Sequence, residues 1–176
     1  MQNFPNEYNH ANRKPVAVPY TALSDDEYAK CLDNVVKVSV DTFITNKEGD
    51  VLLGERVDWP VKGLWCFGGR MIPRETFKQT VVRNIKRELG YEIKDTENIE
   101  LVGWYSFVWE KRREAPIENG FHDLLIFMKY CLPSDTVFAT DKTHTQINWH
   151  KKEGLQKIKD SLHPYLVAGL KDAKLI

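Results

Sequence analysis

The chain has 176 residues and a mass of 20.5 kDa, a length that fits one domain or a domain with an arm. With 42% hydrophobic residues it can bury a real core, which excludes disorder as its main state. Lys+Arg and Asp+Glu both number 25, so the formal charge is zero, which argues against retention on nucleic acid by bulk charge and leaves room for a local cationic pocket.

Cys31, Cys66 and Cys131 form no C-x-x-C pair, so neither a zinc ribbon nor a thioredoxin-type centre is supported. The first twenty residues are polar and Asn/Pro-rich, without the apolar stretch of a signal peptide. The chain has no run of 18 apolar residues, so no membrane span is expected. A cytoplasmic, reducing setting is the default expectation. Residues 1–20 read as an extended arm and 21–176 as one domain.

Ser24 precedes Glu27 at capping-box spacing, with a short helix over Tyr28–Leu32. Val35–Thr45 alternates and is β-branched, which predicts a strand. Asn46–Asp50 supplies turn chemistry, and Val51–Arg56 returns as a second strand. The stretch 57–74 is a Pro/Gly-rich loop with a short strand over Leu64–Phe67. Thr76–Leu89 predicts a helix whose apolar face carries Phe77, Val81, Val82, Ile85 and Leu89, ended by Gly90. Ile99–Trp109 and His122–Leu132 are further strands around a polar loop, Glu110–Gly120. Ile147–Trp149 is a short strand, and from Glu153 onward Leu155, Ile158, Leu162, Leu166 and Leu170 predict a helical tail. This order suggests a sheet covered by helices on both faces.

The most informative stretch runs from Gly69 to Tyr91. Adjacent glycines at Gly68 and Gly69 let the backbone approach a ligand closely. The helix that follows sets Asn84 and Glu88 one turn apart, with Glu88 at the edge of the buried face. A hard cation needs oxygen ligands and is often held by one or two carboxylates plus substrate phosphates.

Gly69, Glu75, Arg83, Ile85, Glu88 and Gly90 stand at the offsets of the box G-x5-E-x7-R-E-U-x-E-E-x-G-U, and the stretch resembles the Nudix family on these positions. Asn84 and Arg87 replace two of the box glutamates, and Tyr91 stands at an aliphatic position. The resemblance implies an α/β Nudix fold, an α/β/α sandwich with a mixed β-sheet. With one ligating carboxylate left on the helix, it implies a single Mg²⁺, or Mn²⁺ in its place.

Ser39-Val40-Asp41, Leu52 to Arg56, Gly63-Leu64-Trp65 and Gly68-Gly69-Arg70 are similar to the GDP-mannose mannosyl hydrolase branch, and Asp141 to His144 resembles that branch's base-bearing loop. The resemblance implies attack of water on the anomeric carbon of a nucleoside diphosphate sugar, and the charge balance and hydropathy add the expectation of no nucleic acid or membrane partner. It assigns Arg56 and Arg70 to the β-phosphate, the Gly68 carbonyl and Glu88 to the metal, and His144 to the general base. It assigns Asp41 to sugar or base hydroxyls, and Glu75 with Arg83 to support around the metal. Thr143 stands where the branch has a glutamine ligand, and the loop before the glycines is one residue shorter, with Phe67 in place of a common proline. A homodimer reached by the arm is also implied.

Plainer readings stand beside these. Glu88 can pair with Arg87 or Asn84, Arg56 with Glu75 or Glu55, and Arg70 with a surface acid. His144 can be an exposed loop residue, and His122 a satisfied structural histidine. Trp65, Trp104 and Trp109 read as core or edge aromatics, one of them a candidate for stacking a base. Lys111-Arg112-Arg113, flanked by Glu110 and Glu114, reads as a solvated loop, with reach over a diphosphate as the alternative. Cys66 reads as a small buried apolar residue. Two other functions remain open on these residues: a Nudix pyrophosphohydrolase attacking phosphorus, and a non-catalytic module sensing a nucleotide or nucleotide sugar.

Overall fold

The computed structural model describes residues 22–133, 136, 138 and 144–176. The arm, Thr143 and the rest of the loop before His144 lie outside the described residues.

The first helix, α1, is Asp25–Asn34, opened by a complete capping box between Ser24 and Glu27. Strands β1 (Lys37–Thr45) and β2 (Val51–Arg56) follow as an antiparallel pair. The single strand expected over Leu64–Phe67 is two, β3 (Gly63–Trp65) and β4 (Phe67–Arg70), broken at Cys66. They part because β3 pairs with β2 while β4 turns to pair with β1.

Helix α2 (Phe77–Leu89) has a second capping box, Thr76 with Gln79, and ends at Gly90 with φ of 67°. Strands β5 (Glu100–Trp109), β6 (Phe121–Cys131) and β7 (His144–His150) complete the sheet. Its main order is β3-β2-β1-β6-β5, with β1 and β6 parallel, and with β4 beside β1 and β7 beside β2.

The helical tail is two helices, α3 (Lys152–Ile158) and α4 (Pro164–Asp172). Pro164 explains the break: it has no N–H, and it pushes His163 to φ −59°, ψ 133°, where a helix cannot continue. As the first residue of α4, Pro164 is well placed.

Each face of the sheet has its own core, as the alternation predicts. Val81, Ile85 and Leu89 of α2 meet Val40, Ile44, Leu52, Ile126 and Met128 on one face. Burying each such side chain is worth about 1.5–3 kcal/mol relative to exposure. Phe43, Leu53 and Phe127 meet Leu155, Leu166 and Leu170 on the other. Beyond α4 this second face opens as a cleft lined by Lys37, Ser39 and Asp41 of β1 and by Phe121, Asp123 and Leu125 of β6.

Candidate functional site: a cleft between the glycine strand and the second core

The cleft has a volume of about 680 Å³. In the ladder between β1 and β4, Asp41 stands opposite Gly68 and Val40 opposite Gly69. A Cβ on Gly68 would lie 2.3 Å from Asp41 Oδ1 and 2.4 Å from the Val40 carbonyl, so only glycine lets the Asp41 carboxylate lie against β4. Asp41 Oδ2 accepts a hydrogen bond from Trp65 Nε1 at 2.8 Å. Burial raises the Asp41 carboxyl above the usual carboxylate range, against the pull of Trp65 and Arg56.

Helix α2 fastens the other side of β4. Thr80, Asn84 and Glu88, spaced by four, are buried on one stripe beside its apolar face. Glu88 Oε2 accepts the Gly68 N–H at 2.8 Å. Asn84 Nδ2 donates to the Gly69 carbonyl at 3.4 Å, so one substituted box position holds the glycine strand. Arg83 donates to both oxygens of Glu75 and to the Arg70 carbonyl. Glu75 also accepts from the Ile72 N–H and the Thr80 hydroxyl. The pair therefore ties the loop before α2 to the helix.

Arg87 occupies the place that matters most. Its Nη2 donates to the Gly68 carbonyl at 2.8 Å and to Glu88 Oε1 at 2.6 Å, the two groups expected to hold a metal. Burial still pushes the Glu88 carboxyl up to about 7, with Arg87 opposing.

Arg56 and Arg70, the residues expected at a β-phosphate, both line the cleft. Arg56 Nε is buried without a hydrogen-bond partner among the described residues. Arg70 lies over the Tyr28 ring, 4.5 Å from its centroid. His144 does not line the cleft. It opens β7, and its ring packs on Phe67 at 4.9 Å and over Gly54, where a Cβ would lie 2.4 Å from the His144 ring. Pairing of β7 with β2 draws it inward, away from the exposed loop position of the plainer reading.

Several residues not foreseen as functional line the same cleft. Lys37 Nζ pairs with Asp123 Oδ2 at 3.3 Å. Asp123 Oδ1 and Ser39 Oγ are buried without hydrogen-bond partners among the described residues, although Ser39 stands near enough to favour the charged carboxylate. Burial nonetheless raises Asp123. The available signal was a lone acid directly before the apolar run Leu124 to Met128.

The loop after β5 corrects the reading of Lys111-Arg112-Arg113 as solvated at Arg112 alone, since the side chains of Lys111 and Arg113 are 40% and 61% exposed. Arg112 has a side-chain exposure of 0%, bonded to Asp33 at 2.7 Å and to the Glu114 and Gly120 carbonyls. Arg113 lines the cleft, paired with Glu114 at 3.0 Å. Of the tryptophans, Trp65 and Trp109 line the cleft together with Trp59, whereas Trp104 lies outside that lining and is 48% exposed. His122 bonds Ser106 at 2.7 Å on the exposed side of β6. Cys66 is buried, which raises its thiol well above the usual range, consistent with an inert packing role.

The sequence pattern of the NUDIX domain matches residues 35–168, which takes in the glycine strand, α2 and every wall of the cleft except α1. The chain belongs to the Nudix hydrolase family. It is 29% identical over 149 residues to the low-salt glycan biosynthesis protein Agl8 of Haloferax volcanii, covering 84% of this chain and 88% of that protein. Among solved structures it resembles a MutT Nudix hydrolase from Burkholderia pseudomallei, with a TM-score of 0.62, 19% identity and coverage of 79% and 98% of the two chains. It also resembles the Nudix domain of Shewanella oneidensis NrtR, solved with ADP ribose, with a TM-score of 0.59, 17% identity and coverage of 86% and 97%. These two likenesses concern the fold.

Nudix proteins generally use a divalent cation, and the donors here fit one poorly. The Gly68 carbonyl and Glu88 share the Arg87 guanidinium, and Glu75 is engaged by Arg83, Thr80 and Ile72. Among the described residues no group of three or more His, Cys, Asp or Glu could hold a metal ion. Among them, too, no helix is long and apolar enough to cross a membrane.

Proposed function

We propose that this Nudix chain hydrolyses a nucleoside diphosphate sugar of the GDP-mannose type, releasing the sugar and the nucleoside diphosphate. The observation that carries this reading is the convergence of Arg56, Arg70 and Arg87, from β2, β4 and α2, on one cleft that also presents Tyr28, Trp59 and Trp109. Planar guanidinium forks suit phosphate oxygens, and aromatic faces suit a base or a sugar ring. The cleft volume of about 680 Å³ suits a ligand of that size. Arg56 Nε, Ser39 Oγ, Asp123 Oδ1 and Trp109 Nε1 are buried cleft atoms whose hydrogen-bonding capacity phosphate and hydroxyl groups would fill. The Haloferax relative, named for glycan biosynthesis, supports a sugar-related substrate.

In this reading the oxygen of water bonds to the anomeric carbon as the bond from that carbon to the β-phosphate oxygen breaks. The electron pair leaves with the diphosphate, whose charge the arginines receive. The water proton passes to Asp123, whose side chain lines the cleft, as that of His144 does not, and whose Oδ1 has no hydrogen-bond partner among the described residues. Hydrolysis in ¹⁸O-water followed by mass spectrometry tests the reaction: label on the sugar supports it, and label on phosphate moves the reaction to phosphorus. Asp123→Asn is expected to lower kcat by about 10²-fold or more. The homodimer implied by the resemblance belongs to the same proposal, and sedimentation of the full chain measures it.

A second reading, ligand binding without turnover, is favoured by one observation: Arg87 stands between the two groups expected to hold a metal. Saturable binding with no product would establish it.

A further inference from the structure

We infer that Arg87 takes the place of the divalent cation in this cleft, so that the diphosphate of the ligand is received by a guanidinium and needs no metal for binding. The inference rests on the nucleoside diphosphate reading for its ligand, and on geometry for its cation.

The two N–H bonds of Arg87 Nη2 are directed at the Gly68 carbonyl and at Glu88 Oε1, at 2.8 and 2.6 Å. These are the oxygens from which a hard cation would have to be built, and a positive charge already satisfies both. The Arg87 side chain is 49% exposed and lines the cleft, so it is accessible to a ligand there. A guanidinium offers five N–H donors in one plane, more than these two contacts consume. Gly69 makes room for it: a Cβ there would lie 3.2 Å from Arg87 Nη2, tight against the guanidinium.

The surrounding acids do not restore a metal site. Asp41 Oδ2 is held by Trp65, Glu75 is held by Arg83, and Asp123 Oδ2 is held by Lys37. A metal entering beside Glu88 would have to displace Arg87 and leave its charge beside a second cation at short range. The position also inverts the sign of the box, where an acid is expected and a cation stands.

Two measurements test this. The first titrates Mn²⁺ into the free protein, followed by electron paramagnetic resonance. The second measures GDP affinity by calorimetry with EDTA and with Mg²⁺. The wild type is expected to take up no Mn²⁺ and to bind GDP with a Kd that differs less than about threefold between the two conditions. Arg87→Ala is expected to weaken GDP at least about tenfold in EDTA. Arg87→Glu, which sets a second carboxylate beside Glu88, is expected to bind Mn²⁺ in the free protein. Should the wild type take up Mn²⁺, or lose GDP when metal is chelated while Arg87→Ala binds as the wild type does, the inference is overturned. If GDP binds under neither condition, the substrate reading fails, and the Mn²⁺ comparison of wild type with Arg87→Glu still decides the role of Arg87.

Discussion

Trp65 Nε1 donates a hydrogen bond to Asp41 Oδ2 across the floor of the cleft, at 2.8 Å. Both side chains are buried. Trp65→Phe keeps most of the ring volume and removes the donor. It should destabilise the fold by about 1–3 kcal/mol, the cost of an unsatisfied buried acceptor. Urea unfolding measures this, and an unchanged midpoint would mean that Asp41 finds another donor.

Arg56 carries a buried Nε without a hydrogen-bond partner among the described residues, in the lining of the same cleft. A charge-assisted bond to phosphate is worth about 1.5–3 kcal/mol, so Arg56→Ala should weaken GDP binding about tenfold or more. The melting temperature should stay near that of the wild type, because no hydrogen bond of Nε among the described residues is lost. Equal GDP affinity in the two proteins would remove Arg56 from the ligand site.

Gly54 and His144 face each other at a distance that admits no Cβ on residue 54. Gly54→Ala should cost about 1–3 kcal/mol through overpacking. Adding His144→Ala should recover part of that loss, which a double-mutant cycle of unfolding free energies reads directly. His144→Ala alone should lower stability and leave the shape of the pH–rate profile intact. Disappearance of one limb of that profile would return His144 to the role of base.

Arg112 ties three segments together from full burial, through Asp33 of α1 and the carbonyls of Glu114 and Gly120. Arg112→Met keeps the stem and strips the donors. It should cost about 1–3 kcal/mol for each carbonyl left unsatisfied. Hydrogen exchange should rise in the 110–120 loop before it rises in β6, and uniform exchange would show that Arg112 is not the tie.

His163 caps α4, accepting the Tyr165 N–H at Nδ1, and packs against Trp65 and Trp109. Burial lowers its pKa, so the folded chain keeps it neutral where the unfolded chain takes a proton. Its contribution is therefore complete above the ordinary histidine value of about 6.5 and is lost as pH falls below it. Melting temperatures from neutral to mildly acidic pH should fall in the wild type. His163→Asn, which retains a capping side chain, should flatten that slope.

What was legible along the chain was local. The capping box at Ser24 acts within four residues of itself, and β1, β2, α2, β5 and β6 follow from apolar spacing with shifted ends. The Glu75–Arg83 tie is equally local, a contact within one loop and its helix. The tail is two helices where its spacing predicts one, because Leu155 to Leu170 keeps helical spacing while Pro164 breaks the backbone that carries it.

The site depended on contacts between distant segments. Arg87 meets Gly68 across 19 positions and Arg112 meets Asp33 across 79, and neither spacing leaves a trace in periodicity. Asp123 becomes a cleft residue because β6 runs parallel to β1 and sets it beside Lys37. His144 turns inward because β7 pairs with β2. Residue types and their short-range spacing were enough to name the family and the adjacent glycines with the helix that follows them, but not the strand those glycines form. Which charges neutralise one another across that strand follows from strand pairing and burial, because only there does removal from water make an unpaired charge costly enough to dictate its partner.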